Sequence, residues 1–215
     1  MKMIATIFDI DGTVVECFDF DGTSYISAIR DILGEVYIND DWSQYKNVTD
    51  TGILRQIMKK NKIQEKGQIG KLSKKFGELI GQYLENGGEC CPKKGAVCLI
   101  DKLLSDRHYK IGVATGGWKH TAKMKLRHAG FDLRNTVLFS SDDSAERVEI
   151  MEKCLSALGD SFHRIVYVGD AVWDIQATKK LGWHFIGVGP RLKGKCEFWV
   201  EDYSNYDTFM RMLHA

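Results

Sequence analysis

Apolar residues in this chain gather into short runs separated by stretches of helical spacing. MIATIF (3–8), YKIGVA (109–114), TVLFS (136–140), RIVYVG (164–169) and WHFIGV (183–188) are nearly continuous apolar or β-branched runs. That pattern belongs to strands covered on both faces. Helix candidates follow at 93–105, 119–129, 144–158, 172–181 and near 205–213. Gly130, Gly159 and Gly182 close three of them, as glycine does at helix ends. Strand–helix alternation of this kind predicts an α/β fold with a Rossmann-like parallel sheet and right-handed crossovers.

Residues 15–90 break the rhythm. ISAIRDIL (26–33), ILRQIMKK (53–60) and LSKKFGELIGQYL (72–84) have helical spacing, and no strong strand run lies among them. A mostly helical insert between the first strand and the rest of the sheet is therefore expected. Pro92 stands where the insert would rejoin the core.

Composition narrows the function classes. The 215 residues fit one domain, or one domain with an insertion. The formal net charge of +1 gives no whole-chain field for nucleic acid or an anionic membrane, so neither partner is expected. No apolar run reaches bilayer-spanning length, and the first residues read as a strand and not as a signal peptide. The six cysteines form no CxxC pair and read as reduced cytosolic thiols. Zinc is not expected, and the location is expected to be cytoplasmic.

Asp-x-Asp-Gly-Thr occurs twice, at Asp9–Thr13 and at Asp19–Thr23. The first copy follows the strand that opens the α/β pattern, so its carboxylates leave the carboxyl end of that strand, where open parallel sheets bind ligands. In extended backbone Asp9 and Asp11 project to the same side. A plain turn is the alternative, since Asp and Gly are turn residues. The second copy follows Glu16-Cys17-Phe18 and precedes an amphipathic helix, so Asp21 or Thr23 is expected to be a helix N-cap.

Three later motifs bear on the first copy. VATGG (113–117) puts Thr115 at a strand end before two glycines and a helix, which suits a phosphate cradle or simply a βα turn. VGDAVWD (168–174) ends a strand at Asp170, with Asp174 in the opening turn of the next helix, as a site residue or a cap. Arg147 is a cation at a helix start, functional or merely solvated. Asp143 with Glu146 resembles a capping box for that helix.

Taken in order, DIDGT, ATGG, a basic residue and GDxxxD resemble the haloacid dehalogenase-like (HAD) hydrolases. The resemblance covers about 1–18 and 93–190, and the insert is similar to the C1-type helical cap of phosphoglycolate phosphatase-like members. It implies a HAD core at 1–18 and 90–215 and a cap at 19–89. It further implies that Asp9 is the nucleophile, forming an aspartyl phosphate. Asp11 would protonate the leaving oxygen and then help deprotonate water. Mg²⁺ would be held by Asp9, the Asp11 carbonyl and Asp170, with Asp174 in or beside its shell. Thr115 and the Gly116 amide would hold phosphoryl oxygens. The family's third motif usually carries Lys. Arg147 stands at about the right distance before Asp170 and is assigned to bind phosphoryl oxygen, with Lys153 as fallback.

Among weaker candidates, Trp118, Lys119 and His120 follow the phosphate loop, Trp173 lies inside the last motif, and GPRLKGK (189–195) is a basic loop. Tyr45, Lys46 and Thr51 are candidates for selectivity in the cap. The resemblance implies a Mg²⁺-dependent phosphatase, monomer or homodimer, acting on a small phosphorylated metabolite. A phosphosugar mutase using the same aspartates and a non-catalytic regulator with this fold are the alternatives. Dehalogenation has no need of the acid that Asp11 supplies.

Overall fold

The computed structural model describes residues 3–17, 20–134 and 136–215. Its main sheet has six parallel strands: β1 (Ile4–Phe8), β4 (Tyr109–Ala114), β5 (Val137–Phe139), β6 (Arg164–Gly169), β7 (His184–Val188) and β8 (Trp199–Val200), in the order β5-β4-β1-β6-β7-β8. β1 is central. It aligns Phe8 with Val113 of β4 on one side and with Val168 of β6 on the other. The loops after these three strands therefore meet at one end of the sheet, where the strand order reverses and open α/β sheets hold their ligands.

Alternation along β1 divides the core. Ile4 and Phe8 join a cluster with Leu99 and Leu103 of α4 (Ala96–Ser105), Leu126 of α5 (Lys119–His128) and Phe209 and Leu213 of α8 (Tyr206–His214). Ile7 faces the other way, against Ile150, Met151 and Cys154 of α6 (Arg147–Leu158) and Ala177 of α7 (Val172–Leu181). Helices on both faces explain the unbroken apolar runs of the strands.

Residues 20–85 hold three helices with a core of their own. α1 (Phe20–Leu33), α2 (Asp50–Lys60) and α3 (Gln68–Glu85) bury Tyr25, Ile29, Leu54, Ile57, Phe76 and Ile80 together. Trp118, which follows β4, packs into this same cluster and is 1% exposed. The two connections to the sheet pair with each other: β2 (Val15–Glu16) runs antiparallel to β3 (Cys91–Pro92).

Several boundaries differ from the sequence reading. α1 starts at Phe20, so Asp21 and Thr23 lie inside the helix and neither is its N-cap; Asp19 and Phe18 lie outside the described residues. α6 starts at Arg147 and not at 144, because local side-chain bonds hold 140–146 as a loop. There Asp143 Oδ2 accepts the Ser140 N–H at 2.9 Å, and Ser144 Oγ accepts the Glu146 N–H at 3.0 Å. The expected Asp143–Glu146 box is thus replaced by Ser144, whose hydroxyl also donates to Glu149. β2, β3 and β8, two residues each, are too short to leave a periodic signal.

Truncating Phe76, 1% exposed, to Ala is expected to cost about 3 kcal/mol of unfolding free energy. Leu104→Ala, at a position 52% exposed, is expected to cost under about 0.5 kcal/mol. Urea denaturation of the two variants checks the contrast.

Candidate active site

Asp9 is the residue after β1 and Asp170 the residue after β6, and the pairing of these strands brings them side by side. Asp174 sits in the first turn of α7. Oxygens of Asp9, Asp170 and Asp174 all lie within 4.8 Å of one another, and all three residues are buried. Gly12 makes this approach possible. Its φ is +78°, and a Cβ there would fall 2.1 Å from Asp170 Oδ2.

Arg147 enters from the start of α6. Its Nη1 is 3.0 Å from Asp174 Oδ1, 3.6 Å from Asp9 Oδ1 and 3.3 Å from the Tyr167 hydroxyl, to which it donates. Its Nη2 donates to the Val48 carbonyl at 3.0 Å. Lys153, the fallback, is exposed and donates to the Asp143 carbonyl. Asp174 serves two structures at once: Oδ2 accepts the Ala171 N–H at 3.1 Å, capping α7, while Oδ1 faces Arg147.

Burial pushes the Asp9 carboxyl up to about 7, with Asp174 and Asp11 adding to the effect and Arg147 opposing it. Burial and then Asp9 push Asp170 up to about 7, against Arg191 and Arg147. Asp174 is pushed to about 6, again by burial, with Arg147 opposing. Arg147 is held charged by Asp174 and Asp9, which outweigh its own burial. Crowded, desolvated carboxylates of this kind favour a hard cation or protonation. Asp9 Oδ1 and Asp174 Oδ1 are buried and ion-paired to Arg147 without a well-directed hydrogen bond, so the donor set fits a dication such as Mg²⁺.

The loop after β4 forms the opposite wall. Thr115, 2% exposed, accepts the Gly117 N–H at 3.2 Å. A Cβ on Gly116 would lie 2.5 Å from Arg147 Nη2, so glycine lets the guanidinium reach this loop. The insert docks here through its Val48–Thr51 segment. The Asp50 N–H donates to the Gly116 carbonyl at 2.8 Å, and Asp50 Oδ2 accepts the Trp118 N–H at 2.9 Å. The Thr49 hydroxyl donates to the Ala145 carbonyl at 2.7 Å, and that of Thr51 to the Ser141 carbonyl at 3.0 Å. A cavity of about 640 Å³ lies between insert and sheet. It takes in Asp9, Asp11, Thr115, Gly116, Arg147 and Asp170, with Tyr25, Trp42 and Asp50 on the insert side.

The seven residues singled out in the sequence thus converge, Asp174 from just behind the cavity wall. Other expectations shift. Tyr45, Lys46 and Thr51 are not among the lining residues, whose places are taken by Asp40, Trp42, Val48, Thr49 and Asp50. Trp118 is packed into the insert core and not exposed to the cavity, whereas Trp173 does line it. From the basic loop, Arg191 Nη1 reaches Asp170 Oδ2 at 3.1 Å. Sequence reasoning missed Lys125 altogether. It is 2% exposed on α5, and its Nζ lies 2.7 Å from Asp11 Oδ1 and 2.6 Å from Asp21 Oδ1. A lysine among the buried positions of an amphipathic helix, with Ala122, Leu126 and Ala129, was the available signal.

Residues 6–188 match the family model described as haloacid dehalogenase-like hydrolase. The chain belongs to that family. It is 32% identical to pyrophosphatase PpaX of Bacillus pumilus over 97 residues, which is 44% of this chain and 45% of that one. The chain thus matches less than half the length of this curated relative. Its fold is similar to that of β-phosphoglucomutase from Clostridium difficile (TM-score 0.74, 17% identity, 99% of this chain and 97% of that one). It also resembles CbbY from Rhodobacter sphaeroides, solved with phosphate (TM-score 0.71, 17% identity, 94% and 95%). A third likeness is to a phosphoglycolate phosphatase-type protein from Haemophilus somnus (TM-score 0.65, 17% identity, 98% of both chains).

The raised carboxyls make the stability of the fold depend on pH. A group whose folded pKa lies above its unfolded value stabilises the fold fully below the unfolded pKa, and that contribution is lost as pH rises through the folded value. For Asp9, Asp170 and Asp174 the window runs from about 4 to about 7. Melting in EDTA and in Mg²⁺ at pH 5 and pH 8 is expected to show a larger Mg²⁺ increment at pH 8. Asp170→Asn is expected to raise the EDTA Tm at pH 8 and to shrink that increment. An increment unaltered by the substitution would contradict this assignment.

Proposed function

We propose that this chain is a Mg²⁺-dependent phosphatase that hydrolyses a small phosphorylated metabolite. The observation that carries the reading is the convergence of Asp9, Asp170, Asp174 and Arg147 beneath the Thr115–Gly116 loop, in a cavity roofed by the insert. In this reading residues 1–18 and 90–215 are the catalytic core and 19–89 the cap, acting in the cytoplasm without nucleic acid or membrane. Among the described residues no helix is long and apolar enough to cross a membrane.

Asp9 attacks phosphorus, forming an aspartyl phosphate, and Asp11 gives a proton to the departing alcohol oxygen. Asp11, then a carboxylate, takes a proton from water as that water attacks the phosphoryl group, which frees Asp9. Thr115, the Gly116 amide and Arg147 meet the equatorial oxygens, where each donor is typically worth ~3 kcal/mol of barrier. Arg147 also screens Asp9 from the phosphoryl charge. Mg²⁺, held by Asp9, Asp170 and the Asp11 carbonyl with Asp174 behind them, would neutralise charge on the phosphoryl group.

The insert suggests what kind of alcohol leaves. Among the described residues its cavity lining includes Asp21, Asp40 and Asp50 but no Lys or Arg. Burial, with Asp21 adding and Lys125 opposing, pushes the Asp50 carboxyl well above its usual range, and its Oδ2 already accepts the Trp118 N–H. A hydroxylated or aminated leaving group fits this wall; besides Arg147 the cations of the cavity, Lys93 and Arg191, line its core side and are paired with Glu16 and Asp170.

Phosphate release from p-nitrophenyl phosphate and a panel of metabolites checks the reading. Asp9→Asn is expected to abolish release and Arg147→Ala to lower kcat about 100-fold. Glycerol phosphate is expected to exceed phosphoglycolate and pyrophosphate in kcat/KM by about tenfold, the effect of roughly 1.4 kcal/mol. No release with interconversion of sugar phosphates would favour a mutase. Neither turnover nor Mg²⁺ binding would indicate a regulator.

A further inference from the structure

The two-carboxylate grip of Lys125 has no part in the chemistry described above. α5 needs apolar residues on its inner face, and Ala122 and Leu126, with Ala129 at its C-terminal cap, supply them. An ammonium buried at position 125 adds nothing to that packing and is costly to desolvate unless its partners are well placed. Both partners are well placed: Asp11 Oδ1 at 2.7 Å and Asp21 Oδ1 at 2.6 Å. Burial opposes the charge on Lys125, but the two carboxylates outweigh it and hold the amine protonated.

The other oxygen of Asp11 is directed elsewhere. A Cβ built on Gly117 would lie 3.8 Å from Asp11 Oδ2 and 3.7 Å from Thr115 Oγ1. Oδ2 therefore faces the loop that holds the phosphoryl group, while Oδ1 is tied back to Lys125. Asp21 belongs to α1, in the insert, and Asp11 to the loop after β1, in the core.

We propose that Lys125 is a positioning residue: it fixes the side chain of Asp11 with Oδ2 toward the leaving oxygen, and through Asp21 it makes that placement depend on docking of the insert. For this step Asp11 enters the cycle as the acid, its proton on Oδ2 while Oδ1 accepts from Lys125; that proton goes to the alkoxide, and Lys125 keeps its own three protons throughout. The lysine touches no reacting atom. Without it, Asp11 is free to rotate, and α1 loses its charged tie to the core. The inference rests on the phosphatase reading and adds a leaving-group dependence to it.

Leaving groups that depart without a proton separate positioning from folding. p-Nitrophenolate leaves unaided, whereas the alkoxide of glycerol phosphate must be protonated. Steady-state phosphate release from both esters is measured for the wild type and for Lys125→Met, with Asp21→Asn as a second variant should the methionine protein fail to fold. Lys125→Met is expected to lower kcat for glycerol phosphate at least tenfold more than kcat for p-nitrophenyl phosphate. Asp21→Asn is expected to act in the same direction, about threefold. Equal losses on both esters, or no loss on either, would overturn the role while leaving the hydrolase reading intact. A wild type that releases phosphate from neither ester would overturn both.

Discussion

The structure turns on the cost of placing three carboxylates within 4.8 Å of one another at the buried end of a parallel sheet. Alone, such groups repel and lose their water, and the raised Asp9 and Asp170 carboxyls record it. The sheet imposes the arrangement: Phe8 and Val168 lie in register, so the residues beyond them have no room to separate. Arg147 offsets part of the repulsion through Asp174 and Asp9. The remainder is an affinity for positive charge, from a divalent ion, a proton, or both in turn. Active sites store instability of this kind.

The insert is tied to the same place. Val48 accepts from Arg147, Asp50 holds the backbone at Gly116 and Trp118, and the Trp118 ring packs among Tyr25 and Phe76. Lys125 adds a charged link between Asp11 and Asp21. Groups assigned to the phosphoryl moiety in the proposed reaction therefore also hold the insert. The paired connections β2 and β3 give the insert a short ribbon of attachment, with little backbone pairing to resist a change of angle.

Much of this was legible in the chain. The five sheet strands written as apolar runs were found within a residue or two of their expected ends, because strands buried on both faces leave an unambiguous pattern. The aspartates at strand ends were legible because βα turns place them there. Boundaries failed where local structure overrides periodicity, as in the Ser144 side-chain bond before α6 and the left-handed backbone of Gly95, whose φ of +80° delays α4 to Ala96. Asp21 was misread because N-capping is a local inference, whereas its partner Lys125 is 104 residues away. The lining of the insert was likewise hidden, since spacing tells which residues share a helix face but not which neighbour that face meets.

The central claim, that these distant strand ends form one phosphoryl and cation site, is tested most directly by a crystal structure with Mg²⁺ and beryllium fluoride. A trifluoroberyllate is expected on an Asp9 carboxylate oxygen, with one Mg²⁺ shared by Asp9 and Asp170 and fluorines within hydrogen-bond reach of Thr115 and Arg147. An anion bound elsewhere, or Asp9 and Asp170 that share no ion, would contradict it.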